Sequence, residues 1–221
     1  MIIGMPVYDG VDLLDVAGPH EILKWMPKDA AGSAIDVQIV AQEVGCVTTR
    51  DGFTFMAKRS FADVQALDVL WVPGGEPQAL KRLMTEEKQT YLNFLRRVAA
   101  TATYVCSVCE GALLLAKAGL LDGFQATTHW AFIPCLKQFK AVNVVEGTPR
   151  FVVDDSRAPN EAIRVTGGGI SSGLDESLKL VELLSSYAVA QDVQQNTQYY
   201  PCPPVSSTIT VPTDCFMGQV S

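Results

Sequence analysis

Apolar residues fall into short β-branched runs separated by stretches of helical spacing, and this alternation continues along most of the 221 residues. Ile2 to Tyr8 is the first run, closed by the turn pair Asp9-Gly10, and it predicts a buried strand. Ile35 to Ala41 alternates apolar and polar residues as a half-buried strand does, and Val47 to Ala57 reads as a hairpin around Arg50, Asp51 and Gly52. Neither carries evident chemistry. Val69 to Val72 and Ile163 to Thr166 predict further buried strands, while Val142 to Val145 and Phe151 to Val153 predict a hairpin pair. Helical spacing runs from Pro19 to Trp25, with Pro near its start, from Gln78 to Met84, from Glu86 to Ala100 with Thr85 as a candidate cap, and from Ser171 to Tyr187. The basic pairs Lys81-Arg82 and Arg96-Arg97 read as solvated helix surface. Pro201-Cys202-Pro203-Pro204 prevents further helix and leaves a polar tail.

The richest stretch is Tyr104 to Leu115, YVCSVCEGALLL, where a β-type run meets a small-residue turn and continues with helical spacing. Cys109 sits at the bend. A strand that turns abruptly into a helix holds its corner side chain out of the sheet, and Gly111 removes the side chain that would collide where the two separate. The helix start supplies partial positive charge, which favours a thiolate, so Cys109 reads as a nucleophile on an elbow. Cys106 and Cys109 form a CxxC pair, but Cys106 belongs to the strand and the two side chains point to different sides, against a thioredoxin-like role. Three other strand ends carry small or acidic residues: Asp12 to Glu21, Pro73-Gly74-Gly75, and Thr166 to Gly169. Four such ends make one crevice. Asp15, set among Leu13, Leu14 and Val16, is either a helix-start carboxylate or a group poised for chemistry. Gly75 N–H and Glu110 N–H are candidate oxyanion donors. His129 either acts as a base toward Cys109 or bonds backbone near the pocket wall, and the second role is the simpler.

Composition narrows the class. With 48% hydrophobic and 19% charged residues the chain is long enough for one sizeable α/β core, expected over residues 1–200 with 201–221 as a tail. No apolar run is long enough to span a bilayer and no basic leader precedes the first strand, so a soluble, cytoplasmic protein is expected. A formal net charge of −7 opposes binding to nucleic acid. The six cysteines show no dense spacing and are expected to be reduced thiols; with two histidines they make no convincing metal set.

The motifs LLDVAGPHE, VPGG, SVCEG, AGLLDG, ATTHW and TGGGISSGLD, in that order between about Ile2 and Tyr200, resemble the ThiJ/PfpI superfamily and within it the isonitrile (isocyanide) hydratases. The resemblance implies a flavodoxin-like three-layer α/β sandwich, related to class I glutamine amidotransferases, with a mostly parallel sheet, helices on both faces and Cys109 on the elbow. It implies hydration of an isocyanide to an N-substituted formamide through a Cys109 thioimidate, with Asp15 as general acid/base, no cofactor, and assembly as a homodimer. Glu110 stands with Cys109 and Asp15 as a catalytic candidate, and Gly75, Glu110, His129 and Ile170 are the candidates for the substrate and oxyanion site. Isonitrile hydratases carry Thr where this chain has Glu110, a carboxylate that would either oppose thiolate formation or bond to water; PfpI-type proteases carry His there, so the peptidase reading loses its base. A glyoxalase or deglycase acting on α-oxoaldehydes and a cysteine redox sensor are the other readings of the same elbow.

Overall fold

A computed structural model describes residues 1–221 apart from 157, 159 and 160. In chain order the elements are β1 (Ile2–Pro6), α1 (Leu13–Lys24), β2 (Asp36–Ala41), β3 (Gly45–Thr48), β4 (Thr54–Ala57), β5 (Arg59–Ser60) and β6 (Val69–Val72). There follow α2 (Pro77–Thr85), α3 (Thr90–Ala99), β7 (Tyr104–Ser107), α4 (Gly111–Lys117), β8 (Gln125–Ala126) and α5 (Ile133–Leu136). The chain then forms β9 (Asn143–Val144), β10 (Phe151–Asp154), β11 (Ile163–Gly167), α6 (Ser172–Leu184) and α7 (Tyr187–Asn196). One seven-stranded sheet runs in the order β10-β11-β7-β6-β1-β2-β5, and every pairing in it is parallel except β10 with β11. Helices α1 and α6 pack together on one face, and α2, α3 and α4 on the other. This is the expected flavodoxin-like sandwich.

A parallel sheet covered on both faces needs apolar side chains pointing both ways, which is why its strands read as continuous apolar runs. All four residues of β6, Val69 to Val72, are 0% exposed. The chain leaves β1 toward β2 on one side and returns to β6 on the other, so β1 and β6 flank the point where strand order reverses. Crevices open at the carboxyl ends of strands at such points. The segments after β1, β6, β7 and β11 all meet there.

Several local expectations are corrected. Helix α1 begins at Leu13 and takes in Pro19, instead of starting at that proline. Pro19 has no N–H for the carbonyl of Asp15 four residues back; the indole N–H of Trp71 donates to that carbonyl at 3.0 Å instead. Thr85 ends α2, its hydroxyl donating to Lys81 O, and the Glu86 carboxylate accepts the N–H of Thr90 at the start of α3. Arg96 and Arg97 are not merely solvated: Arg97 donates to the carbonyls of Val64 and Phe61 at 2.6 and 2.7 Å, and Arg96 to Ala118 O at 3.1 Å. The stretches 142–145 and 151–153 do not pair with each other; β9 pairs with β8 and β10 with β11. The last helical stretch breaks at Ser185-Ser186, where the Ser186 hydroxyl caps the separate α7. Cys135 and Cys215 form a disulfide, against the expectation of six thiols, because the tail returns to pack on α5. Among the described residues no helix is long and apolar enough to cross a membrane.

Candidate active site

Cys109 is the corner between β7 and α4, with φ of +55°. A non-glycine residue in this region brings Cβ close to a carbonyl oxygen, at a cost of about 1–3 kcal/mol, and persists only where neighbours hold it. Two hydrogen bonds do so: Cys109 N–H donates to Gly168 O at 2.8 Å, and the Thr128 hydroxyl donates to Cys109 O at 2.7 Å. Two glycines make room. A Cβ on Gly111 would stand 2.1 Å from Val72 O, and one on Gly74 would stand 2.8 Å from Cys109 Cβ. The elbow expected from the sequence is present, with Gly111 in the role expected of it.

Three carboxyl groups surround the thiol. Asp15 projects from the first turn of α1 and is 0% exposed. Its Oδ2 accepts the N–H of Gly74 at 2.8 Å, and its Oδ1 has no partner among the described residues. Asp15 is thus a helix-start carboxylate as well as a neighbour of the thiol, but it is not the cap, since Asp12 holds the N-cap position. Glu110 accepts the S–H of Cys109, its own backbone N–H, and the N–H of Gly75 at 3.3 Å. Asp12 completes the group and pairs with Arg50 at 3.2 Å. Donor atoms of Asp12, Asp15, Cys109 and Glu110 all lie within 4.8 Å of one another. These are the side chains that could ligate a metal, although Asp12 is already neutralised by Arg50 and Glu110 is already held by backbone amides.

So many acids in a dry space cannot all ionise. Burial, then the charges of Asp12 and Glu110, push the Asp15 carboxyl well above its usual range. Glu110 is pushed up to about 7, mainly by burial, and Asp12 is raised by burial against the pull of Arg50. The Cys109 thiol is raised as well, by burial first and then by Asp15 and Glu110. This corrects the expectation of a thiolate favoured by the helix start: the seven-residue α4 does not outweigh burial beside carboxyl groups. The two amides expected to stabilise an oxyanion, Gly75 N–H and Glu110 N–H, are both engaged by the Glu110 carboxylate.

A cavity of about 380 Å³ lies beside the elbow, walled by Leu14, His129, Trp130, Arg150, Ile170 and Ile209 among others. Gly168 and Thr128, which hold the Cys109 backbone, also line it, while the Cys109 side chain is 0% exposed and sits behind that wall. His129 takes the simpler of its two expected roles: Nδ1 accepts the N–H of Ala131 at 3.2 Å, and its ring lies against Gly169. Burial and the charge of Arg50 lower its pKa, so the ring is held neutral. Cys109, Asp15, Glu110 and Gly75 therefore meet at the elbow, whereas His129 and Ile170 belong to the cavity wall. Sequence reasoning passed over Asp12, Arg50 and Glu176. Asp12 stood one helical turn before Asp15, a usable signal; Arg50 lay in a hairpin turn that nothing marked as chemical. Glu176 on α6 is 0% exposed, with neither oxygen partnered among the described residues, and its carboxyl is raised by burial and by Asp15.

A cysteine on a strand-to-helix corner, at the carboxyl ends of a parallel sheet and beside a buried acid, defines a class of α/β proteins. The chain belongs to the DJ-1/PfpI family, whose pattern matches residues 2–182. It is 37% identical over 205 residues to an isonitrile hydratase of Pseudomonas putida, covering 93% of this chain and 81% of that one. A ThiJ/PfpI family protein from Pseudomonas syringae superposes with a TM-score of 0.80 at 32% identity, covering 96% of this chain and 81% of that one. Drosophila melanogaster DJ-1beta shares the fold, with a TM-score of 0.73 at 18% identity over 90% of this chain and 98% of that one.

Proposed function

We propose that the protein is an isonitrile hydratase that adds water to an isocyanide to give an N-substituted formamide. The observation that carries this reading is the company Cys109 keeps: carboxyl groups with raised pKa on both sides, and a neutral His129 turned to the cavity wall. The terminal carbon of an isocyanide is electrophilic, and it must receive both a sulfur and a proton. Sulfur attacks that carbon as the S–H proton passes to the Glu110 carboxylate, which already accepts it as a hydrogen bond. Protonated Asp15 delivers a proton to the same carbon, leaving a thioimidate, R–N=CH–S–Cys109. Water then adds to that carbon, ionised Asp15 taking one proton from the water while protonated Glu110 passes the former thiol proton to the nitrogen. Collapse of the tetrahedral centre expels Cys109 sulfur, which takes up the proton lost by the hydroxyl group, and releases R–NH–CHO, with Asp15 protonated and Glu110 ionised as at the start. Two carboxyl groups with raised pKa thus divide the acid and base work. Similarity to the Pseudomonas putida hydratase over 93% of the chain supports the same activity. Assembly as a homodimer belongs to this reading and is checked by light scattering.

The test is an assay of isocyanide consumption and formamide formation beside one of methylglyoxal loss. Cyclohexyl isocyanide should be consumed with one formamide formed per turnover, and Cys109→Ala should abolish this while Cys106→Ser leaves most of it. Loss of methylglyoxal alone would move the assignment to α-oxoaldehyde chemistry.

A further inference from the structure

The tail after α7 has no regular structure, and residues 202–210 are exposed along their length. Its far end is nevertheless tied to one place. Cys215 is bonded to Cys135 on α5, and the Phe216 ring meets Phe132 edge-on with centroids 4.7 Å apart. Gln138 donates to Gly218 O at 2.8 Å and accepts Val220 N–H at 2.9 Å, and Val220 is buried. All of these anchors lie on the segment that directly follows His129 and Trp130, the cavity wall. The tail thereby reaches the cavity and places Ile209 among its lining residues, with Leu14, Trp130 and Ile170. Ile209 is otherwise 55% exposed, so the anchors downstream of it fix its place, not packing of its own.

Resting on the hydratase reading, we infer that Ile209, on a tail fastened by the Cys135–Cys215 disulfide, closes the substrate cavity and selects isocyanides that carry a bulky apolar substituent. A cavity of about 380 Å³ is far larger than a methyl isocyanide needs, and filling it with hydrocarbon removes apolar wall from water. A dithiol reductant opens the fastening: it is oxidised to its own disulfide, the Cys135–Cys215 bond breaks, and each protein sulfur takes a proton. The tail is then free to leave, and the cavity loses its apolar wall at Ile209.

The experiment compares wild type, Ile209→Ala and Cys215→Ser on cyclohexyl and methyl isocyanide. KM for the cyclohexyl compound should rise about tenfold in both variants, as expected when a few carbons are lost from a hydrophobic pocket. KM for the methyl compound should change much less, so that the ratio of the cyclohexyl KM to the methyl KM rises in both variants. Dithiothreitol should bring wild type to the same selectivity and leave Cys215→Ser unmoved. A second readout does not need turnover. Trp25 is exposed and Trp71 is 0% exposed, so in a Trp25→Phe background acrylamide quenching reports chiefly on Trp130 in the cavity wall. Quenching should increase on reduction and in Cys215→Ser. Unchanged KM selectivity together with unchanged quenching overturns the inference. If wild type turns over neither isocyanide, the hydratase reading fails by itself; unchanged quenching then overturns the tail as cavity wall, and increased quenching supports it.

Discussion

Glu110 and Asp15 flank the same thiol with different hydrogen bonds. Glu110 keeps two backbone N–H donors that favour its charged form, and burial still pushes it up to about 7; Asp15 has one such donor, and burial with the charges of Asp12 and Glu110 raises it well above its usual range. If Glu110 takes the thiol proton, kcat/KM should rise with pH through about 7, and Glu110→Gln should flatten that profile at a low level. Asp15→Asn should fold and lose roughly 100-fold or more in kcat, the range a positioned acid supplies. The same pKa has a stability consequence of definite sign. A carboxyl raised from 4.5 to about 7 binds its proton more tightly folded than unfolded, so its stabilising effect is complete below pH 4.5 and is lost as pH rises through about 7. That shift corresponds to about 3 kcal/mol. Glu110→Gln should therefore melt roughly 5–10 °C higher than wild type at pH 8 and about equally at pH 4. Differential scanning calorimetry at the two pH values checks it. Cys109, Asp15 and Glu110 were legible because motif order placed them at strand ends, and Glu110 next to Cys109 already pointed against a thiolate, whereas the full crowding that raises the thiol was not. It depends on how many acids converge from separate segments, which spacing along a chain does not encode.

At the scale of elements, the buried parallel strands were the most legible part. Their continuous apolar runs follow from burial on both faces, and β6 and β11 lie where those runs fall. What failed was anything decided by a distant partner. Pro19 looks like a helix start because a proline inside a helix strands a carbonyl, and only the fold brings Trp71 to that carbonyl. Arg96 and Arg97 look like surface for the same reason: their carbonyl partners are more than 20 residues away. Trp71→Phe keeps an aromatic ring but removes the indole N–H and leaves Asp15 O buried without a donor, which should cost about 1–3 kcal/mol in urea unfolding on top of the cost of the lost ring volume. Because the bond ends on the backbone of Asp15, the same variant should lower kcat further than its loss of stability explains.

Across the whole molecule, the 80-residue separation of Cys135 and Cys215 makes their bond a long cross-link. In the chain-entropy account such a loop stabilises by roughly 4 kcal/mol, so unfolding in dithiothreitol should show a lower midpoint while Cys135→Ser shows no response to reductant. No spacing rule joins two cysteines so far apart, and a tail beginning Pro-Cys-Pro-Pro gives no hint of where it will return.

The crowd of raised carboxyl groups around Cys109 also makes folding a proton-uptake reaction near neutral pH. Asp15, Glu176 and part of the Glu110 population hold protons in the folded chain that they surrender when it opens. The heat of melting must then include the heat of whatever buffer captures those protons. Calorimetric enthalpies measured at one pH in phosphate and in Tris will differ, and the difference divided by the gap in buffer ionisation enthalpy counts the net protons released, those of this buried site less those taken up by His20 and His129.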